Sequence, residues 1–133
     1  MKKTLLSIIM LLLIVPSAMG QTGIVLDDLS MNSEILKSER KFAIYLPPDY
    51  DHSTRSYPVL YLLHGAGDDQ TGWIQFGEVL NLADKAIGEG QATPMIIVKP
   101  DAQTGERGYF NNINGKRNYE EFFIQELKTS VEK

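Results

Sequence analysis

The residues best suited to chemistry lie in one stretch, Tyr57 to Trp73 (YPVLYLLHGAGDDQTGW). An apolar run, Val59 to Leu63, ends abruptly in His64-Gly65-Ala66-Gly67, followed by Asp68, Asp69 and, at Trp73, the only tryptophan of the chain. Glycine at such a strand exit lets the backbone turn with φ > 0 and leaves no Cβ to hold a ligand away. The N–H groups bared by the turn can donate hydrogen bonds to an oxygen on which negative charge develops, as acyl-transfer chemistry requires. His64 with Asp68 and Asp69 makes a poor metal set, because a site needs three or more converging ligands. The two acids read instead as solvated turn residues, and no metal or cofactor is expected. Trp73 either packs on the core at a helix entry or lines an aromatic pocket, offering flat apolar area with a polar handle.

Composition narrows the function classes. The 133 residues are enough for one small domain and carry a formal charge of −4. There is no cysteine, which excludes thiolate chemistry, disulfides and a lipid-bearing cysteine. Lys2 and Lys3, the apolar run Leu5 to Val15 and Ala18-Met19-Gly20 have the order of a secretory signal peptide, with cleavage expected after Gly20. The apolar run is short of the ~20 residues needed to span a bilayer, so no stable membrane anchor is expected. Loss of the two lysines makes the remainder more acidic still, which argues against nucleic acid or an anionic membrane as partner.

The elements that must position the loop follow in order. Residues 21–30 read as a leader in which Ile24-Val25-Leu26 is a short strand or simply extended chain; the domain proper is expected over 31–133. The pattern becomes extended from Met31, turns at Lys37-Ser38-Glu39 and alternates from Arg40 to Leu46, with Phe42, Ile44 and Leu46 on the core face. Pro47 and Pro48 stop this strand. His52 belongs to the polar loop Asp49 to Ser56, a solvated histidine. Val59 to Leu63 reads as a strand buried on both faces of a parallel sheet. Phe76, Val79, Leu80, Ala83 and Ile87 form one stripe of an amphipathic helix, closed by Gly88 and Gly90. Met95 to Val98 is the next strand, giving a right-handed βαβ crossover.

A long polar loop, Ala102 to Arg117, precedes a last helix. Asn118 is the expected N-cap with Glu121 at N3, and Tyr119, Phe122, Phe123, Leu127 and Val131 form the buried stripe. Such a helix packs its stripe on a sheet, so a further parallel strand is expected after Lys133. The fold class expected is therefore α/β: an antiparallel hairpin leading into a parallel βαβα sheet, incomplete within these residues. Met95 to Val98 is then expected to present an unpaired edge if it borders that further strand, and the chain alone to be partly molten or aggregated.

The strings YLPPDY (Tyr45 to Tyr50), YPVLYLLHGAG (Tyr57 to Gly67), Trp73, MIIVKPD (Met95 to Asp101) and YEEFFIQEL (Tyr119 to Leu127) together resemble an esterase family of the α/β-hydrolase fold. That family includes feruloyl and acetylxylan esterases, S-formylglutathione hydrolase and the antigen 85 acyltransferases. The resemblance spans residues 31–133 and implies a secreted serine carboxylesterase acting on a small or polysaccharide-linked ester, feruloyl or acetyl. Members use a serine in a Gly-x-Ser-x-Gly elbow, with an acid and a histidine further on. No Gly-x-Ser-x-Gly occurs here, and His52 and His64 both precede the place where the serine would fall.

The resemblance implies half an oxyanion hole, one backbone N–H from Gly65 or Ala66. His64 supports the loop rather than acting as base, since a base must touch a nucleophile. Tyr109, Phe110, Asn111 and Asn112 lie on the loop after the second parallel strand, where such loops border the ligand crevice. Asn111 and Asn112, with Trp73, are the expected substrate contacts. Lys99 and Asp101 read as loop-fixing ions. The 133 residues are expected to be inactive alone. The alternative is a non-catalytic secreted carbohydrate-binding or interaction protein derived from the same fold.

Overall fold

The computed structural model describes residues 20–102 and 108–133. The expected signal peptide, apart from Gly20, and the middle of the long loop lie outside them. Four strands form one sheet: β1 (Ile24–Ser33), β2 (Ser38–Leu46), β3 (Val59–Tyr61) and β4 (Ile96–Pro100), in the order β1-β2-β4-β3. β1 and β2 are an antiparallel hairpin, β2 lies antiparallel to β4, and β3 runs parallel to β4. Between β3 and β4 come a short helix, α1 (Gly72–Gln75), and α2 (Val79–Gly88). The chain then closes with α3 (Tyr119–Glu121), a π-helical segment (Phe122–Leu127) and α4 (Lys128–Val131), continuous with one another.

Two apolar clusters hold helices to opposite faces of the sheet. On one face Tyr45, Val79 and Ile97 are buried, with Leu62, Leu80, Ala83 and Ile87 against them. On the other, Tyr119, Phe122 and Leu127 bury themselves with Ala102, joined by Met31, Phe42 and Phe123. The stripe expected on the last helix is therefore the one that packs. β2 differs from expectation, because both its faces are covered: Ala43 and Tyr45 are fully buried, while Phe42, Ile44 and Leu46 are half-buried.

Several boundaries also move. β1 is already under way at Ile24, ahead of the expected start at Met31. The hairpin turn falls before Ser38, with Lys37 in the left-handed region at φ 53°. Glu126, on the π-helical segment, fixes this turn: its carboxylate accepts the Ser33 hydroxyl (2.5 Å) and the N–H groups of Glu34 (3.0 Å) and Ile35 (3.2 Å). Phe76 is 82% exposed and outside the α2 stripe, because Glu78 at φ 46° separates α1 from α2. Asn118 makes no side-chain cap. Asn111 supplies it instead, its Oδ1 accepting the N–H of Glu120 at 2.9 Å.

The largest correction concerns the sheet edge. β4 is interior, paired with β2 on one side and β3 on the other, so the expected open edge at Met95 to Val98 does not exist. Among the described residues the edge strands are β1 and β3. The run Val59 to Leu63 is also not buried on both faces: Leu60 is 45% and Leu63 41% exposed.

Candidate active site

The glycine loop leaves the carboxyl end of β3. Leu62 still donates its N–H to Val98 O (2.8 Å), carrying the parallel pairing one step past the strand. The backbone then folds over Gly65-Ala66-Gly67-Asp68, the Asp68 N–H reaching Gly65 O at 3.3 Å. Gly67 sits at φ 85° while Ala66 keeps a negative φ. Positive φ at the third position only is the signature of a type II turn, with glycine required at Gly67 and Ala66 where proline is favoured. Gly65, Ala66 and Gly67 are all exposed. Among the described residues the N–H groups of Gly65 and Ala66 have no hydrogen-bond partner.

His64 is the loop's anchor. Its Nδ1 lies 2.8 Å from Gly65 O, and its Nε2 2.9 Å from the Ala102 N. A carbonyl can only accept and an amide N–H only donate, so the ring is the neutral tautomer with its proton on Nδ1. Both ring nitrogens are thereby occupied in holding backbone. Asp101 Oδ1 stands 3.9 Å from Nε2, too far for a hydrogen bond. Tyr109 binds the main chain of the same residue: its hydroxyl accepts the His64 N–H (2.7 Å) and donates to His64 O (3.0 Å). Burial pushes the Tyr109 phenol up to about 12, so it remains a donor throughout the working range of pH.

The acids after the loop build turns. Asp69 Oδ1 accepts both the N–H and the hydroxyl of Thr71, at 2.7 Å each. Those two bonds, the hydroxyl's first, hold its carboxyl below the ordinary value. Trp73 donates Nε1–H to Leu63 O (2.9 Å) and leaves 40% of its surface exposed. It borders an apolar cavity of about 310 Å³ shared with Leu60, Leu62, Leu82 and Met95. Asn111 and Asn112 close a small loop: Asn111 bridges to Asn118, and the Asn112 N–H donates to Arg117 O (2.7 Å). The Oδ1 of Asn111 is committed to the helix N-terminus, as described above.

At the exit of β4, Asp101 does fix the loop. Its carboxylate takes Arg40 at 3.0 Å, and its carbonyl oxygen accepts both Arg40 Nη2 (2.8 Å) and the Tyr119 hydroxyl (2.8 Å). Lys99 does not. It is 1% exposed, faces the α2 side of the sheet beside Ala43, and its Nζ has no hydrogen-bond partner among the described residues. Burial pulls this amine down to about 8. The sequence offered no sign of it beyond a lysine inside an apolar run (MIIVKP), where a strand interior is the default.

Comparison with known proteins matches this arrangement. The family model Esterase (“Putative esterase”) covers residues 33–133. Esterase Rv1288 of Mycobacterium tuberculosis is 40% identical over 93 residues, which are 67% of this chain and 19% of that protein. An endo-1,4-beta-xylanase/feruloyl esterase of Xylanibacter ruminicola is 35% identical over 97 residues, 68% of this chain and 13% of the relative. Among solved structures, a ferulic acid esterase superposes with a TM-score of 0.78 at 32% identity, over 86% of this chain and 43% of that one. A ferulic acid esterase from Anaeromyces mucronatus, solved with ferulic acid, gives 0.66 at 27% identity, over 84% and 43%. The chain thus spans less than half the length of each of these four relatives.

Proposed function

Because this chain belongs to the esterase family of the α/β-hydrolase fold, we propose that it supplies the oxyanion-stabilising half of the active site of a secreted serine carboxylic-ester hydrolase. The observation that carries this reading is the pair of N–H groups at Gly65 and Ala66, unpartnered among the described residues, on a loop whose neighbours are otherwise tied down. In the mechanism, a serine from the remainder of the domain attacks the ester carbonyl. One of these N–H groups binds the oxygen as it becomes an alkoxide, and a second donor comes from beside the serine. The intermediate collapses with departure of the alcohol, which takes the serine's proton, and water hydrolyses the acyl-enzyme to the carboxylic acid and free serine. His64 takes no proton in this scheme. The substrate class is a feruloyl or acetyl ester of plant polysaccharide, supported by the feruloyl esterases among the relatives. The exposed ring of Trp73 and the amides of Asn111 and Asn112 are the proposed substrate contacts.

The expected test joins residues 21–133 to the portion of a feruloyl esterase that follows the matched region. This completed domain should hydrolyse p-nitrophenyl acetate or methyl ferulate, whereas the 133 residues alone stay at background. Hydrolysis by the 133 residues themselves, undiminished by His64→Ala with His52→Ala, would reveal a different catalytic centre. The proposed export has its own check: secreted material should begin at Gln21, and an N-terminus still at Met1 would refute cleavage. Among the described residues no helix is long and apolar enough to cross a membrane.

A further inference from the structure

We infer that Tyr109 is a positioning residue for the oxyanion loop, an inference that rests on the esterase reading above. A Cβ placed on Gly65 or Gly67 would meet nothing within 4 Å among the described residues, so the side of the turn where side chains would stand is open. Its geometry depends on His64, the last residue before it. The ring of His64 fixes one side through Gly65 O and the Ala102 N–H. The main chain is fixed by a single side-chain atom, the Tyr109 oxygen, which accepts the His64 N–H and donates to the His64 C=O.

One hydroxyl is suited to this because it carries one donor and two acceptor lone pairs. It satisfies both main-chain groups of His64 just where pairing with β4 gives out. It also withholds the His64 N–H from substrate, leaving Gly65 and Ala66 as the groups that face it. Tyr109 in turn is held by a row of edge-on rings running into the core. Its ring centroid lies 5.5 Å from His64 and 5.5 Å from Tyr119, and Tyr119 lies 5.3 Å from Phe122. The packing of the last helix is thereby connected to the position of two backbone N–H groups.

Tyr109→Phe keeps the ring and removes both bonds. In the completed domain kcat should fall roughly 10- to 100-fold, less than deletion of a donor costs, with KM little changed because the lost alignment matters in the transition state. Amide exchange at His64 to Gly67 should accelerate in the same variant. Tyr45→Phe is the control: it removes a hydroxyl bond, to Asp84 Oδ1, on the opposite face of the sheet and away from His64. It should leave kcat within about threefold and the exchange of the loop unchanged. Unchanged kcat and loop exchange in Tyr109→Phe, or equal losses in both variants, would overturn the inference. If the completed domain with Tyr109 intact shows no esterase activity, the esterase reading fails, and the exchange comparison alone decides whether Tyr109 positions the loop.

Discussion

In the completed domain, Ala66→Pro is expected to lower kcat by about 10²–10³ while leaving the fold of the loop intact, if its N–H is the one that meets the oxyanion. The turn explains why this substitution is clean. Ala66 occupies the position of a type II turn at which proline is favoured, so the ring suits the backbone and removes only the N–H. Gly65→Pro is the parallel test for the other donor. One of the two should carry the loss, because a donor matters in proportion to the charge it meets in the transition state. KM should change far less than kcat for the same reason. Full activity in both variants would remove this loop from the mechanism.

The second large effect concerns stability. Lys99→Met is expected to stabilise the completed domain by about 3 kcal/mol at pH 7, read from urea denaturation. The amine of Lys99 is buried without a hydrogen-bond partner, and burial lowers it from 10.5 to about 8. The unfolded chain therefore binds the proton more tightly than the folded one between these values. With more protons bound in the unfolded state, stability rises as pH rises through this window, and the full penalty is present below pH 8. The advantage of methionine over lysine should shrink to about 1 kcal/mol at pH 9.5. Measuring both proteins at each pH cancels the tyrosines, whose own titration acts in the opposite direction above pH 10. An advantage that stays constant from pH 7 to 9.5 would show that the lysine is solvated or paired.

The elements with strong local signals were legible in the sequence. The periodic stripe Tyr119, Phe122, Leu127 packs as read, and the His-Gly-x-Gly string does leave the carboxyl end of a parallel strand. What was not legible depended on partners distant in the chain. Asn118 has the right type and spacing for a cap, yet Asn111 takes the role because the loop brings it over the helix N-terminus. An apolar run announces a strand but not which neighbours cover it, so Val59 to Leu63 is partly exposed while β4, read with an open edge, is paired on both sides. Phe76 fits the helical stripe by spacing, and only a left-handed residue at Glu78 takes it out. In the site, the sequence pointed to His64 as loop support, and its two ring nitrogens lie against backbone of Gly65 and Ala102. Tyr109 was not, since nothing in a polar loop says which tyrosine will reach back across 45 positions to the glycine loop.

The most direct measurement is of the two amide protons themselves. The completed domain would be labelled with ¹⁵N and its serine converted to a tetrahedral adduct with a boronic acid or an organophosphonate, which places a negative oxygen where the oxyanion forms. The amide resonance of Gly65 or Ala66 should then move strongly downfield. That of His64 should stay in place, because its proton is already given to Tyr109. A downfield shift at His64, or none at Gly65 and Ala66, would contradict the assignment of this loop as an oxyanion hole.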